Sequence, residues 1–337
     1  METRTRILMF ILVLVAAVVV AVLSLIKTTV SAVGLMNTSY SGIVYILPSG
    51  NSTPFWAKTY GDRIFFYVYA NLTLYENSIN RDFKVIRDAG YNFVVIVIPL
   101  ADHNYPYYYP NINLINRLAS ENHLKVMWAI FPKWYFGPEW NYLYVNSTVY
   151  IKLVELLSYL VTLNSTYRVA VWYGWKPSTV PLNTWCNATL LKAYLDSLPP
   201  NVRGRYAVWI DMPFDDYVNE CGVPGLLNSM GIPAVTEEYT KDSIFNWYAL
   251  FREQYVTTGI WDAQSVEDWC SGFINRVSPM LLNIRHANPS YYKPRIVITW
   301  IYWDVNDGSG ELYRALTSNG LANPITCIRE YWPRAHG

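Results

Sequence analysis

Eight short runs rich in Val, Ile and aromatic residues recur along the chain, at 64–70, 93–99, 124–131, 169–174, 206–211, 232–238, 257–262 and 295–304. Most are nearly continuous rather than alternating, the pattern of strands buried on both faces of a parallel sheet. Helical patterns lie between them at 75–89, 148–163, 190–198 and 243–254, with a last one over 310–331 broken near Asn323-Pro324. In the second, Leu153, Leu156, Leu157, Leu160 and Val161 form one apolar face, with Ser147 or Thr148 as N-cap. Eight strands alternating with helices predict a (β/α)8 barrel, whose usual length is about 250 residues. An open doubly wound sheet is the competitor. It would call for a Gly-rich strand-to-helix loop, and neither G-x-G-x-x-G nor a P-loop pattern occurs. No Pro- or Gly-rich linker interrupts the chain after Thr59, so residues 58–337 read as one barrel domain.

The N-terminus reads differently. Residues 7–26 carry no charge and one polar side chain, Ser24. At about 1.5 Å rise per residue a helix over this run spans a bilayer core of about 30 Å. Arg4 and Arg6 precede it and Lys27 follows, which favours a single-pass anchor oriented N-in, C-out in the cell membrane. A cleaved signal peptide, ending near Val30-Ser31-Ala32, is the rival and would make the chain secreted. Either way the rest leaves the cytoplasm. Residues 28–57, rich in Ser, Thr, Asn and Gly, then read as a stalk, with a short strand around Ile43 to Leu47 inside it.

Six N-x-Ser/Thr triplets agree with an exterior location: Asn37, Asn51, Asn71, Asn146, Asn164 and Asn187. The four cysteines, Cys186, Cys221, Cys270 and Cys327, lack metal-ligand spacing, so no metal is expected and two disulfides are. Three pairings are possible, and neighbouring positions in a barrel favour Cys186–Cys221 and Cys270–Cys327. The net charge of +1 gives no field to gather nucleic acid, and no cofactor motif is present.

Charged residues are only 15% of the chain, yet acids recur where barrel strands end: Asp102, Asp211, Glu237, Glu238, Asp262 and Asp304. Strand ends on that face carry the chemistry of such barrels. Asp102, Asp304 and Asp307 are best explained as turn or cap residues. Alternation along strand 5 turns Ala207, Trp209 and Asp211 to the barrel axis, and along strand 4 Trp172, Gly174 and Lys176. On strand 6 an outward Val235 would turn Glu238 inward, although a terminal bulge would let Glu237 take that place. The segments after strands 2 and 3 are unusually aromatic, including Tyr105, Tyr107, Tyr108, Tyr109, Phe131, Trp134, Tyr135, Tyr142 and Tyr144. Such rings stack on sugar faces, pack loops together, or sit at a membrane surface.

A resemblance joins these features. Arg87-Asp88-Ala89-Gly90-Tyr91-Asn92-Phe93-Val94-Val95 looks like the helix-1-to-strand-2 passage of (β/α)8 glycoside hydrolases of the large retaining clan. Gly231-Ile232-Pro233-Ala234-Val235-Thr236-Glu237 resembles that clan's nucleophile strand, and Thr299-Trp300-Ile301-Tyr302-Trp303 its last strand. The resemblance implies a carbohydrate ligand, with Trp303 flooring the sugar subsite. Two departures stand out. The clan's strand-4 acid is replaced by Trp175-Lys176-Pro177, and the nucleophile-like strand counts as sixth rather than seventh.

The expected function is therefore a membrane-anchored exterior glycoside hydrolase. Asp211 and one of Glu237 or Glu238 are the acid pair, with Asp262 in reserve. Trp172, Trp209, Trp303, Trp134 and Tyr135 are the ring surfaces, and Lys176 orients a carboxylate or simply pairs with one. The alternative, favoured by the missing strand-4 acid, is a catalytically silent carbohydrate-binding or cell-surface scaffold barrel.

Overall fold

Residues Phe93–Pro99 are buried along their whole length, as a strand covered on both faces must be. A computed structural model describes this strand and residues 42–45, 67–88, 91–101, 104–132, 141–173, 187–210, 222–238, 254–258 and 294–299 in all. The strands are β1 (Gly42–Tyr45), β2 (Phe93–Pro99), β3 (Lys125–Phe131), β4 (Thr166–Tyr173), β5 (Tyr206–Ile210), β6 (Ala234–Glu238), β7 (Gln254–Thr258) and β8 (Pro294–Thr299). Each pairs in parallel with the next and β8 with β1, closing the barrel. The helices are α1 (Glu76–Asp88), α2 (Tyr108–Glu121), α3 (Thr148–Leu160), α4 (Ala188–Ser197), α5 (Pro200–Arg203) and α6 (Val223–Met230).

Two apolar layers divide by strand parity. Val94, Ile96 and Ile98 of β2, with Val169, Val171 and Tyr173 of β4, pack outward beneath the helices. Val95 and Val97, with Ala170 and Trp172, fill the interior. α3 joins the outer layer through Leu153, Leu156, Leu157 and Leu160, and Ser147 is its cap, with Oγ accepting from Tyr150 N at 3.1 Å. The outer layer also carries polar ties. Trp128 Nε1 donates to Thr166 Oγ1 at 2.9 Å, and that hydroxyl donates to Leu160 O at 2.7 Å, linking β3, β4 and α3.

Several expectations need correction. The first strand is Gly42–Tyr45, inside the segment read as a stalk, and not the run at 64–70, where Tyr67, Val68 and Tyr69 are helical. Aromatic richness made that run look like a strand, but only Gly42–Tyr45 completes the ring between β2 and β8. β7 begins at Gln254, within the residues expected to end a helix, and stops four residues before Asp262. β6 faces the opposite way from the expectation. Val235 lies in the interior and Ala234 in the outer layer, because the register pairs Val235 with the inward Trp209.

The aromatic stretch after β2 is also partly helix. Tyr108, Asn111, Ile112, Ile115, Leu118 and Ala119 form the buried stripe of α2, at helical spacing. Tyr108 is buried and its hydroxyl donates to Pro99 O at 2.6 Å, so this ring belongs to the core and not to a loop surface. The buried Asn111 fastens the preceding segment: its Oδ1 accepts from Leu72 N at 3.1 Å, and Nδ2 donates to Tyr67 O and Ala70 O at 2.8 and 2.7 Å. Asn111→Ala strands all three groups in the interior. The expected cost is about 2–4 kcal/mol in urea unfolding, and a loss below about 0.5 kcal/mol would contradict this account.

Asp82 of α1 sits buried under β1, where Tyr45 Oη donates to its Oδ2 at 3.0 Å. Burial holds its carboxyl above the usual carboxylate range, against the opposing Tyr45 hydrogen bond and the Arg81 guanidinium. The folded chain therefore holds this proton to higher pH than the unfolded chain does. The contribution is most favourable below the unfolded carboxylate value and declines as pH rises through the folded one. Asp82→Asn keeps the acceptor and removes the buried charge. It should raise the Tm at pH 7, and the gain should disappear near pH 3; a gain equal at both pH values would refute the linkage.

Among the described residues no helix is long and apolar enough to cross a membrane. Residues 7–26 lie outside them.

Candidate active site

The interior half of β3 to β5 ends in rings. Phe131 closes β3, Trp172 is the penultimate residue of β4, and Trp209 is the penultimate residue of β5. Inward parity on three consecutive strands brings them face to face. Phe131 and Trp172 stack at a 4.0 Å centroid separation and 30°, and Trp172 and Trp209 at 4.0 Å and 16°. Their exposures are 4%, 1% and 0%, so each ring spends its faces on its neighbours and on the aliphatic interior. The inward direction expected for Trp172 and Trp209 holds. Their expected part as an open sugar platform does not, because neither ring has an accessible face. Spacing along the strands shows parity, but it cannot show that three inward rings meet.

A second aromatic group lies outside the sheet, between β4, β5, α3 and α4. Tyr142 Oη donates to Trp172 O at 3.0 Å, and the Tyr194 and Tyr206 hydroxyls meet at 3.1 Å. Burial pushes the Tyr142, Tyr173, Tyr194 and Tyr206 phenols well above their ordinary range. They stay protonated and act as core hydrogen-bond groups. Tyr142, one of the rings for which both sugar stacking and packing stood open, is thus part of the wall that holds β4. Tyr105 packs edge-on against Tyr69, and Tyr109 against Tyr159. Tyr107 and Tyr144 remain exposed.

Phe93, Val95, Val97, Met127, Ala129, Phe131, Ala170, Trp172, Ala207, Trp209 and Val235 form one apolar cluster in the interior from β2 to β6. The acids that the sequence offers belong to the strand ends. Glu237 and Glu238 are the last two residues of β6, and their backbone pairs with Thr257 and Thr258 of β7. Asp211 directly follows the last residue of β5. Asp211, Asp262, Lys176, Trp134, Tyr135 and Trp303 lie outside the described residues, as do Cys186, Cys221, Cys270, Cys327, Asn37 and Asn51. Among the described residues no three His, Cys, Asp or Glu side chains gather where they could hold a metal ion.

A closed eight-stranded parallel barrel with acids at its strand ends places the chain in the (β/α)8 class, whose reactive groups sit on that face. No family model matches the chain, and no curated protein does. Solved structures do. A Prevotella bryantii endo-beta-mannanase/endo-beta-glucanase superposes with a TM-score of 0.51 at 11% identity, covering 89% of this chain. The match takes in 49% of that protein, about half its length. An Eisenia fetida endo-1,4-beta-mannanase gives 0.48 at 11% identity, over 86% of this chain and 91% of its own. SacUVDE gives 0.45 at 12%, over 87% and 98%. Likeness at these identities is likeness of fold alone, and the first of these superpositions agrees with the closed parallel barrel.

Proposed function

We propose that the chain is an extracytoplasmic glycoside hydrolase, anchored by residues 7–26, whose acid pair is Asp211 and Glu237. The observation that carries the reading is the β5–β6 register. Trp209 pairs with Val235 and Ile210 with Thr236, and both Trp209 and Val235 occupy the interior. In the sequence Asp211 lies two positions beyond the inward Trp209, as Glu237 lies two beyond the inward Val235. Two carboxyl groups about 5–5.5 Å apart are what retaining glycosidases use. Side by side, two carboxyl groups resist double ionisation. One then serves as the proton donor to the leaving oxygen while the other attacks C1.

The two named glycosidase neighbours act on mannan or glucan, by their names. Soluble β-linked mannans and glucans are accordingly the first substrates to test. Asp211→Asn should abolish reducing-sugar release while leaving polysaccharide retention in affinity electrophoresis unchanged. Release undiminished by that change would sink the pair.

A second reading has an observation of its own. The Phe131–Trp172–Trp209 stack fills the strand-4 side of the interior, and the clan's strand-4 acid is replaced by Trp175-Lys176-Pro177. Both favour a silent carbohydrate-binding barrel. Retention of a polysaccharide by the wild-type chain with no turnover across the same panel would decide for it.

A further inference from the structure

The N-x-Ser/Thr triplets are equivalent in sequence, but the fold treats them differently. Asn164 is exposed, yet the hydroxyl that completes its triplet belongs to Thr166, which is buried at the start of β4. That hydroxyl donates to Leu160 O and accepts from Trp128 Nε1. Ser165 between them is buried too, and its N–H donates to Asn116 Oδ1 at 3.0 Å. Asn71 is half-buried, and its Oδ1 accepts from both the N–H and the hydroxyl of Thr73. The residue between, Leu72, is buried with its N–H held by Asn111. Neither triplet can be drawn out of the folded barrel without opening the core.

Asn146 and Asn187 stand otherwise. Asn146 is exposed with φ at 74°, two residues before the exposed Thr148 that begins α3. Asn187 is the exposed N-cap of α4, two residues before the exposed Thr189. Its Oδ1 accepts from Leu190 N at 3.0 Å, while Nδ2 donates no hydrogen bond among the described residues. Substitution at that nitrogen leaves the cap intact. Both triplets end in the first turn of a helix, where the N–H groups have no helical partner and opening is cheap. Tyr144 and Val145, 46% and 39% exposed, flank Asn146 and offer an apolar face to a first sugar.

We propose that the folded barrel carries N-linked glycan at Asn146 and Asn187, and none at Asn164 or Asn71. The assignment rests on the extracytoplasmic reading above. The donor is an oligosaccharide activated as a lipid-linked phosphate ester. Nδ2 bonds to the sugar C1 and the C1–O bond to phosphate breaks. The phosphate leaves with the electron pair, and the Nδ2 proton passes to the transferring enzyme. Both helix N-termini follow strand ends, so the two glycans would rim the mouth that holds the acids.

The test uses the full chain, expressed in a host with an N-glycosylation system, and peptide mass mapping of the purified protein. Glycan at Asn146 and Asn187, with Asn71 and Asn164 bare, is expected. Thr148→Val should remove the Asn146 glycan with the asparagine still in place, and Thr148→Ser should restore it. Protease digestion of intact cells locates the barrel independently. A barrel accessible from outside, with Asn146 and Asn187 both bare or Asn164 as fully occupied as they are, overturns the assignment. A protected barrel refutes the exterior location and the assignment with it.

Discussion

Trp209→Ala is expected to lower the unfolding free energy by about 3–5 kcal/mol, the range for removing a large aromatic from a packed core. The ring is wholly buried, stacks on Trp172 at 4.0 Å, and stands beside Val235 in the register. Its removal leaves a cavity that the backbone of a closed sheet cannot collapse to fill. Trp172 sits between two rings, so Trp172→Ala should cost as much or more. The two changes should not add, because each removes part of the same stack. Folded domains have only about 5–15 kcal/mol to lose. Trp209→Phe, which keeps a ring, is therefore the companion variant and should lose less. Urea unfolding followed by far-UV circular dichroism reads all three. A Trp209→Ala loss under about 1 kcal/mol would mean that the interior is not packed as described.

On the proposed hydrolase reading, Glu237→Gln is expected to reduce turnover on the order of 10²–10⁴-fold, the usual worth of a positioned proton-transfer group. Glu238→Gln should stay within a few-fold of wild type. The contrast follows from parity alone. Val235 occupies the interior, and Glu237 shares its parity two residues on, whereas Glu238 shares that of the outer-layer residue Ala234. The sequence expectation of an inward Glu238 rested on an outward Val235, and the register removes that premise. Reducing-sugar release at matched protein concentrations separates the two glutamates, and thermal melts confirm that both variants fold. Equal losses, or a larger loss at Glu238, would reverse the assignment. Because neither substitution changes side-chain volume much, a folding defect is a poor rival explanation for a selective loss.

How far the residues speak for themselves varies with the element. β2 is legible to the residue, because seven successive apolar side chains buried on both faces admit few other readings. α3 is legible through its five-residue apolar face and its serine cap. α2 carried the same spacing, but Tyr107, Tyr108, Tyr109 and Pro110 resemble a loop, and proline is tolerated in a helix's first turn. The run at 64–70 erred in the other direction. Its aromatic and branched residues suit a strand, while the four-residue β1 offers hardly any pattern to detect.

The local chemistry of the chain accounts for the class of fold, the two-layered core and the supply of acids at strand ends, because burial on two faces writes itself into composition and period. Facing and accessibility belong to the closed sheet. Which residue of β6 turns inward follows from the lateral partner Trp209, 26 residues away in the chain. Whether a tryptophan greets a ligand or another tryptophan is settled by neighbours on other strands, as the Phe131–Trp172–Trp209 stack shows. The same holds for the N-x-Ser/Thr triplets at Asn146 and Asn164, whose threonines are alike in sequence while the fold buries only the second. Local pattern carries period and parity; contacts between distant segments decide what those positions face.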